Sequence, residues 1–166
     1  MKVKDETKKK IDIISSIIII VIIAIALLVI VKIKIGPLSG ELHCSYKNNT
    51  NTMISSLDYK LKFKNKNVTK LETEEIISSD DEELIETYKA SIEELSTKYE
   101  ELEHYKTNIT TEDNKLIIKT IIDYSKIDMK KYLQIEGEKT YIKNNKLKID
   151  EIKKIYERNG ATCKFK

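Results

Sequence analysis

Four side chains carry most of the reactive chemistry in this sequence: Cys44, Cys163, His43 and His104. Two thiols and two imidazoles are the donor set of a tetrahedral zinc site. The spacing argues against that use. There is no C-x-x-C or H-x-x-x-H, and on a strand the adjacent His43 and Cys44 point to opposite faces. Two cysteines in one domain outside a membrane usually pair. A Cys44–Cys163 disulfide is therefore the expected site chemistry, with two free thiols as the alternative. The bond closes a loop of over 100 residues and is worth about 4–5 kcal/mol on the chain-entropy scale.

No reaction is named by the remaining residues. The sequence has no G-x-S-x-G, H-E-x-x-H, phosphate-binding or dinucleotide glycine pattern. No catalytic, metal-ligating or cofactor-binding residue is assigned, and no enzyme activity or cofactor is expected. Asn48, Asn67 and Asn108 each begin an N-x-T sequon, as chance allows in a chain rich in Asn and Thr. The acidic run at Asp80, Asp81 and Glu82 has the composition of a cation site, but acids also favour a helix N-terminus. All nine tyrosines lie beyond residue 40. Tyr59, Tyr88, Tyr99, Tyr124 and Tyr156 fall on apolar faces, which fits core packing or an aromatic ligand groove between a sheet and a long helix.

These residues belong to a chain whose averages hide its organisation. The 166 residues carry 30 basic and 27 acidic groups, and mean hydropathy is -0.39. Yet residues 13–31 contain no charge, and 17 of these 19 positions are hydrophobic. As a helix they rise roughly 28 Å, about the hydrocarbon thickness of a bilayer. The run is longer than a signal-peptide core and is followed by Lys32 and Lys34 rather than a cleavage site. His43 directly before Cys44 is also a poor lipidation context. Five lysines precede the span, so the positive-inside rule places residues 1–12 in the cytoplasm and the C-terminal portion outside. The expected lipid contact is through residues 13–31, with residues 13–35 as a transmembrane helix and its flank. Arg158 is the only arginine, whereas Lys and Ile each occur 29 times, a pattern of AT-rich coding. Lysine abundance is thus discounted as a nucleic-acid signal, and no nucleic-acid partner is expected.

Beyond a linker at residues 36–41, residues 42–166 suffice for one domain. Period-two patterning marks a strand over residues 53–63, with neighbours over 42–47 and 68–77 joined by Asn-rich turns. A long helix is expected from Ser79 as N-cap through Leu102, carrying Leu84, Ile85, Tyr88, Ile92, Leu95 and Tyr99. Residues 107–111 and 115–124 read as a hairpin. Ile117 and Ile121, opposite Leu116, Ile118 and Ile122, suggest a central strand covered on both sides. A weak helix over 125–134, a final helix from Asp150 ending at Gly160 and a last strand over 161–165 complete the reading. The expected fold class is α+β: an N-terminal transmembrane helix, then an antiparallel sheet packed against one long helix and a shorter C-terminal helix.

Several segments together carry a resemblance. They are the cysteine-bearing first strand, the run from Phe63 through Asn67-Val68-Thr69 to Leu71, and the acidic-start helix. Asp113-Asn114-Lys115-Leu116, Ile122-Asp123-Tyr124-Ser125-Lys126 and the stretch from Tyr156 through Asn159-Gly160 to Cys163-Lys164 follow. This chain resembles the YehR-like group of small extracytoplasmic bacterial lipoproteins, a domain of unknown function, over most of residues 42–165. The resemblance implies an α+β domain outside the membrane and no assigned activity. The chain departs from it by lacking a lipobox. The expected function is a binding or interaction module at the bacterial envelope, engaging an envelope protein or small ligand. An accessory subunit recruited through the membrane segment is the alternative, and an envelope hydrolase a weaker one.

Overall fold

The computed structural model describes residues 37–50, 52–137, 139 and 141–166. The chain divides into residues 1–37 and 38–166. Residues 1–35, expected to comprise a tail, a membrane helix and its flank, lie outside the described residues. Among the described residues no helix is long and apolar enough to cross a membrane.

Six strands form one antiparallel sheet: β1 (Gly40–Asn49), β2 (Ile54–Lys64), β3 (Asn67–Ser78), β4 (Tyr105–Glu112), β5 (Lys115–Asp123) and β8 (Thr162–Phe165), in the order β4-β5-β3-β2-β1-β8. A two-stranded hairpin, β6 (Ile142–Lys143) and β7 (Lys146–Leu147), stands apart from it. The helices are α1 (Glu82–Thr97), α2 (Met129–Glu136) and α3 (Ile149–Arg158).

The expected fold class needs correction. The described chain is mostly antiparallel sheet with three short helices, of 16, 8 and 10 residues. The long helix stops at Thr97 instead of reaching Leu102, and local chemistry explains why. The Ser96 and Thr97 hydroxyls donate to the carbonyls of Glu93 and Glu94 at 2.8 and 2.7 Å. Those carbonyls are the acceptors for the next helical turn, so the side chains compete with helix continuation. The chain then tightens through Tyr99 N to Ser96 O and Glu100 N to Thr97 O bonds. At its other end the cap is Asp81, whose carboxylate accepts from Leu84 N at 3.1 Å, and not Ser79. Ser79 instead donates to Thr52 O and is buried.

The sheet register explains which residues go inside. Leu42, Leu61, Leu71 and Ile122 lie side by side on four neighbouring strands, and Tyr46, Leu57, Glu75 and Ile118 form another row on the same face. The helices and the β6–β7 hairpin cover this face in three clusters. Leu42, Cys44, Leu61, Phe63 and Val68 pack with Leu147, Ile149 and Ile152. Ile77, Leu116 and Ile118 meet Ile85, the only residue of α1 that is buried. Leu102, Ile122, Ile127 and Tyr132 form the third. A register shift after Lys62 sets Phe63 opposite Val68 and leaves Thr69 as the extra residue of a bulge.

β5 is not covered on both sides. Ile121 on its far face is 41% exposed, because no described element packs there. The hairpin at 142–147 went unread in the sequence. Asn144 and Asn145 have φ of 51° and 57°, the left-handed pair a two-residue I′ turn requires, and Asn is the residue that tolerates it.

Candidate functional site

The two cysteines meet across the β1–β8 edge. Cys44 pairs with Cys163 in register, S–S 2.03 Å and Cα–Cα 4.1 Å. Glu41 and Lys166 exchange both backbone hydrogen bonds, so the antiparallel alternation makes 44 and 163 a non-hydrogen-bonded pair, the closer kind. Both thiols are consumed in this bond and supply no metal ligand. His43 points the other way and bonds Glu41, while His104 sits at φ 69° before β4. Among the described residues no three His, Cys, Asp or Glu side chains gather around one point.

The face of the sheet away from the helices is open, and its residues follow directly from strand parity. Lys47 lies on β1, Lys60, Lys62 and Lys64 on β2, and Lys164 on β8, with Lys166 just beyond it. All six are exposed and form no ion pair among the described residues. The β3–β5 half differs. There Lys70 pairs with Glu72 at 2.6 Å, Lys119 with Glu74 at 2.8 Å and Lys126 with Asp123 at 3.7 Å. One half of the face is thus joined by ion pairs, and the other carries an excess of lysine: six side chains against Glu41 and Asp58, with Glu41 opposite Lys62 and Lys60 opposite Glu72 in register. A concavity of about 510 Å³ spans the boundary, lined by His43, Asp58, Lys60, Glu72, Glu74, Lys119, Ile121 and Lys164 among others.

The array is felt by its neighbours. The Glu41 carboxyl is held below its ordinary range first by the His43 hydrogen bond, with Lys62 and Lys166 adding to it. Glu72 is lowered first by its bond from Lys70, with Lys62 and Lys60 contributing. Lysine at strand spacing of about 6.7 Å offers point charges rather than bidentate forks, so the array attracts negative charge without fixing one geometry.

The tyrosines occupy the covered side. Tyr59 stacks on Tyr156 with centroids 4.1 Å apart, and Tyr99 stacks on Tyr105 at 4.3 Å. Tyr124 meets Tyr132 edge-on at 5.6 Å. Tyr88, expected on the buried stripe, is 36% exposed on α1. Tyr124, Tyr132, Tyr141 and Tyr156 surround a small cavity beneath α2 and α3, away from α1.

One carboxylate is out of place on this side. Glu75 stands between Leu57 and Ile118 in register, and burial pushes its pKa up. A carboxyl raised in the folded state binds its proton there more tightly than when unfolded, so it adds stability below its folded pKa and loses it as pH rises through that value. Glu75→Gln is expected to be more stable than the parent at pH 7 and to flatten the decline between mildly acidic and neutral pH. Urea unfolding at several pH values measures this.

No protein-family model and no curated protein matches the chain. What the geometry defines is a one-sided antiparallel sheet with a disulfide joining its first and last strands. Among solved structures it is similar to the NMR structure of the Escherichia coli YehR protein, at 19% identity and a TM-score of 0.54, over 75% of this chain and 91% of that one. It also aligns with the NMR structure of a protein from Streptococcus pneumoniae TIGR4, at 17% identity and a TM-score of 0.46, over 74% and 84%. The described domain has a YehR-like fold.

Proposed function

We propose that the chain is an interaction module displayed outside the cell membrane, held there by residues 13–31. Its binding surface is the open face of the sheet, and its partner there is negatively charged. The observation carrying this reading is the lysine excess of Lys47, Lys60, Lys62, Lys64, Lys164 and Lys166 against Glu41 and Asp58, six side chains in no salt bridge among the described residues, beside a half-face joined by ion pairs. A net excess of lysine with an exposed Ile121 at its border favours an anionic partner. An intramolecular disulfide supports an oxidising compartment, and the asymmetry of lysines around residues 13–31 supports the orientation.

The test uses a photoreactive residue at position 121, exposed at the border of the array, with position 94 on α1 as control, in native membranes. Adducts are expected from the open face only, and they are expected to vanish in Lys60→Glu/Lys164→Glu and to weaken as salt rises. Equal capture from position 94, or capture indifferent to charge reversal, means the face is solvated surface and nothing more.

A further inference from the structure

We infer that the covered side of the sheet holds a second, separate site: the tyrosine-lined cavity beneath α2 and α3, which takes one small neutral ring bearing a hydrogen-bond acceptor, a molecule of phenol size. Its volume is about 160 Å³. An apolar cavity of about 150 Å³ in a protein interior holds benzene. Tyr124, Tyr132, Tyr141 and Tyr156 contribute four phenols, aliphatic side chains such as Leu71 and Ile155 complete the wall, and among the described residues no charged side chain lines it.

The hydroxyls are unequally occupied. Those of Tyr124 and Tyr132 lie 3.3 Å apart and satisfy each other. The hydroxyls of Tyr141 and Tyr156 make no protein hydrogen bond among the described residues, so both are available to a guest. Burial raises the pKa of all four, which keeps them neutral donors. An anion entering here loses its water and finds no cation. A cation finds ring faces, but Glu136, the carboxylate felt at Tyr132 and Tyr141, is already engaged by Lys139 at 3.5 Å and by the Tyr99 hydroxyl at 2.5 Å. A neutral ring is the guest that this lining solvates best.

The full chain in detergent micelles, labelled with ¹³C in its tyrosine rings, is titrated with phenol. Tyr124, Tyr132, Tyr141 and Tyr156 are expected to shift saturably while Tyr46 and Tyr88 stay in place. Tyr156→Phe removes a hydroxyl that has no protein partner, so the fold persists; phenol binding is expected to weaken about three- to tenfold and toluene binding to stay unchanged. Ile155→Phe fills the space and is expected to abolish both, with the Tyr99 and Tyr105 signals reporting a retained fold. Three results overturn the inference: shifts that grow without saturation at all tyrosines, unaltered phenol affinity in Tyr156→Phe, or tetramethylammonium or benzoate binding as tightly as phenol.

Discussion

Replacing both cysteines, Cys44→Ala with Cys163→Ala, is expected to lower the stability of the domain by about 5 kcal/mol. The bond joins residues 119 apart in sequence, so nearly the whole domain lies within the loop it closes. In the unfolded chain that closure removes a large share of the accessible conformations. A further contribution comes from position. Cys44 is 2% exposed and belongs to the cluster around Leu42, Leu61 and Ile149. β8 has only four residues and one strand neighbour, so without the bond little holds it to the edge. Domains of this size have only about 5–15 kcal/mol in total. The melting midpoint is therefore expected to fall by roughly 15 °C or more, and a reducing agent is expected to do the same to the parent. A variant within about a degree of the parent defeats this account.

Leu116→Ala is expected to cost about 2–5 kcal/mol. Leu116 is 0% exposed and lies with Ile77, Ile118 and Ile85 in the cluster that docks α1. Because Ile85 is the only residue of α1 that is buried, a cavity at Leu116 loosens the helix as well as the sheet. Hydrogen exchange is expected to quicken across residues 82–97 before it quickens in β1 and β2. β5 lies three strands from β1, about 14 Å away at ordinary strand spacing, so this loss is expected to add to that of the cysteine variant. Urea titrations of the single, double and triple variants read the sum. Marked non-additivity means that the clusters are coupled through β2 and β3.

Much of the sheet was legible because its covered face is apolar and its open face is not. The alternation of Leu57, Tyr59, Leu61 and Phe63 with Asp58, Lys60, Lys62 and Lys64 sets strand parity without any knowledge of neighbours. The cysteine pairing was legible because two thiols have one pairing. The hidden parts depend on what stands beside a residue. Ile117 and Ile121 read as a second covered face, but apolar content does not say whether a layer is present, and Ile121 faces outward. The apolar stripe of α1 has the right spacing, yet it is too sparse to be buried along its length, and the hydroxyls of Ser96 and Thr97 end it early.

The candidate site shows the same limit more sharply. Lys60, Lys62 and Lys64 share a face on parity alone. That Lys164 and Lys166 join them required the last strand to lie beside the first. That Lys70 and Lys119 do not join them required Glu72 and Glu74 within reach. A charge sum near zero over the domain concealed both facts. The tyrosine cavity was misplaced for a related reason: periodicity showed which tyrosines face inward, and the short segment from α2 to β7 decided what lies above them.

The placement of the disulfide also has a mechanical meaning. The compact unit spans residues 38–166, and Glu41 is hydrogen-bonded to Lys166. A pull applied between residues 38 and 166 passes through the Cys44–Cys163 bond, a covalent shunt. Residues 45–162 then bear none of the load, and only the few residues outside the bond can be drawn out. An object tethered at Lys166 is held close to the point where the domain begins. Under reducing conditions the same pull peels β8 from β1 and pays out the entire sheet.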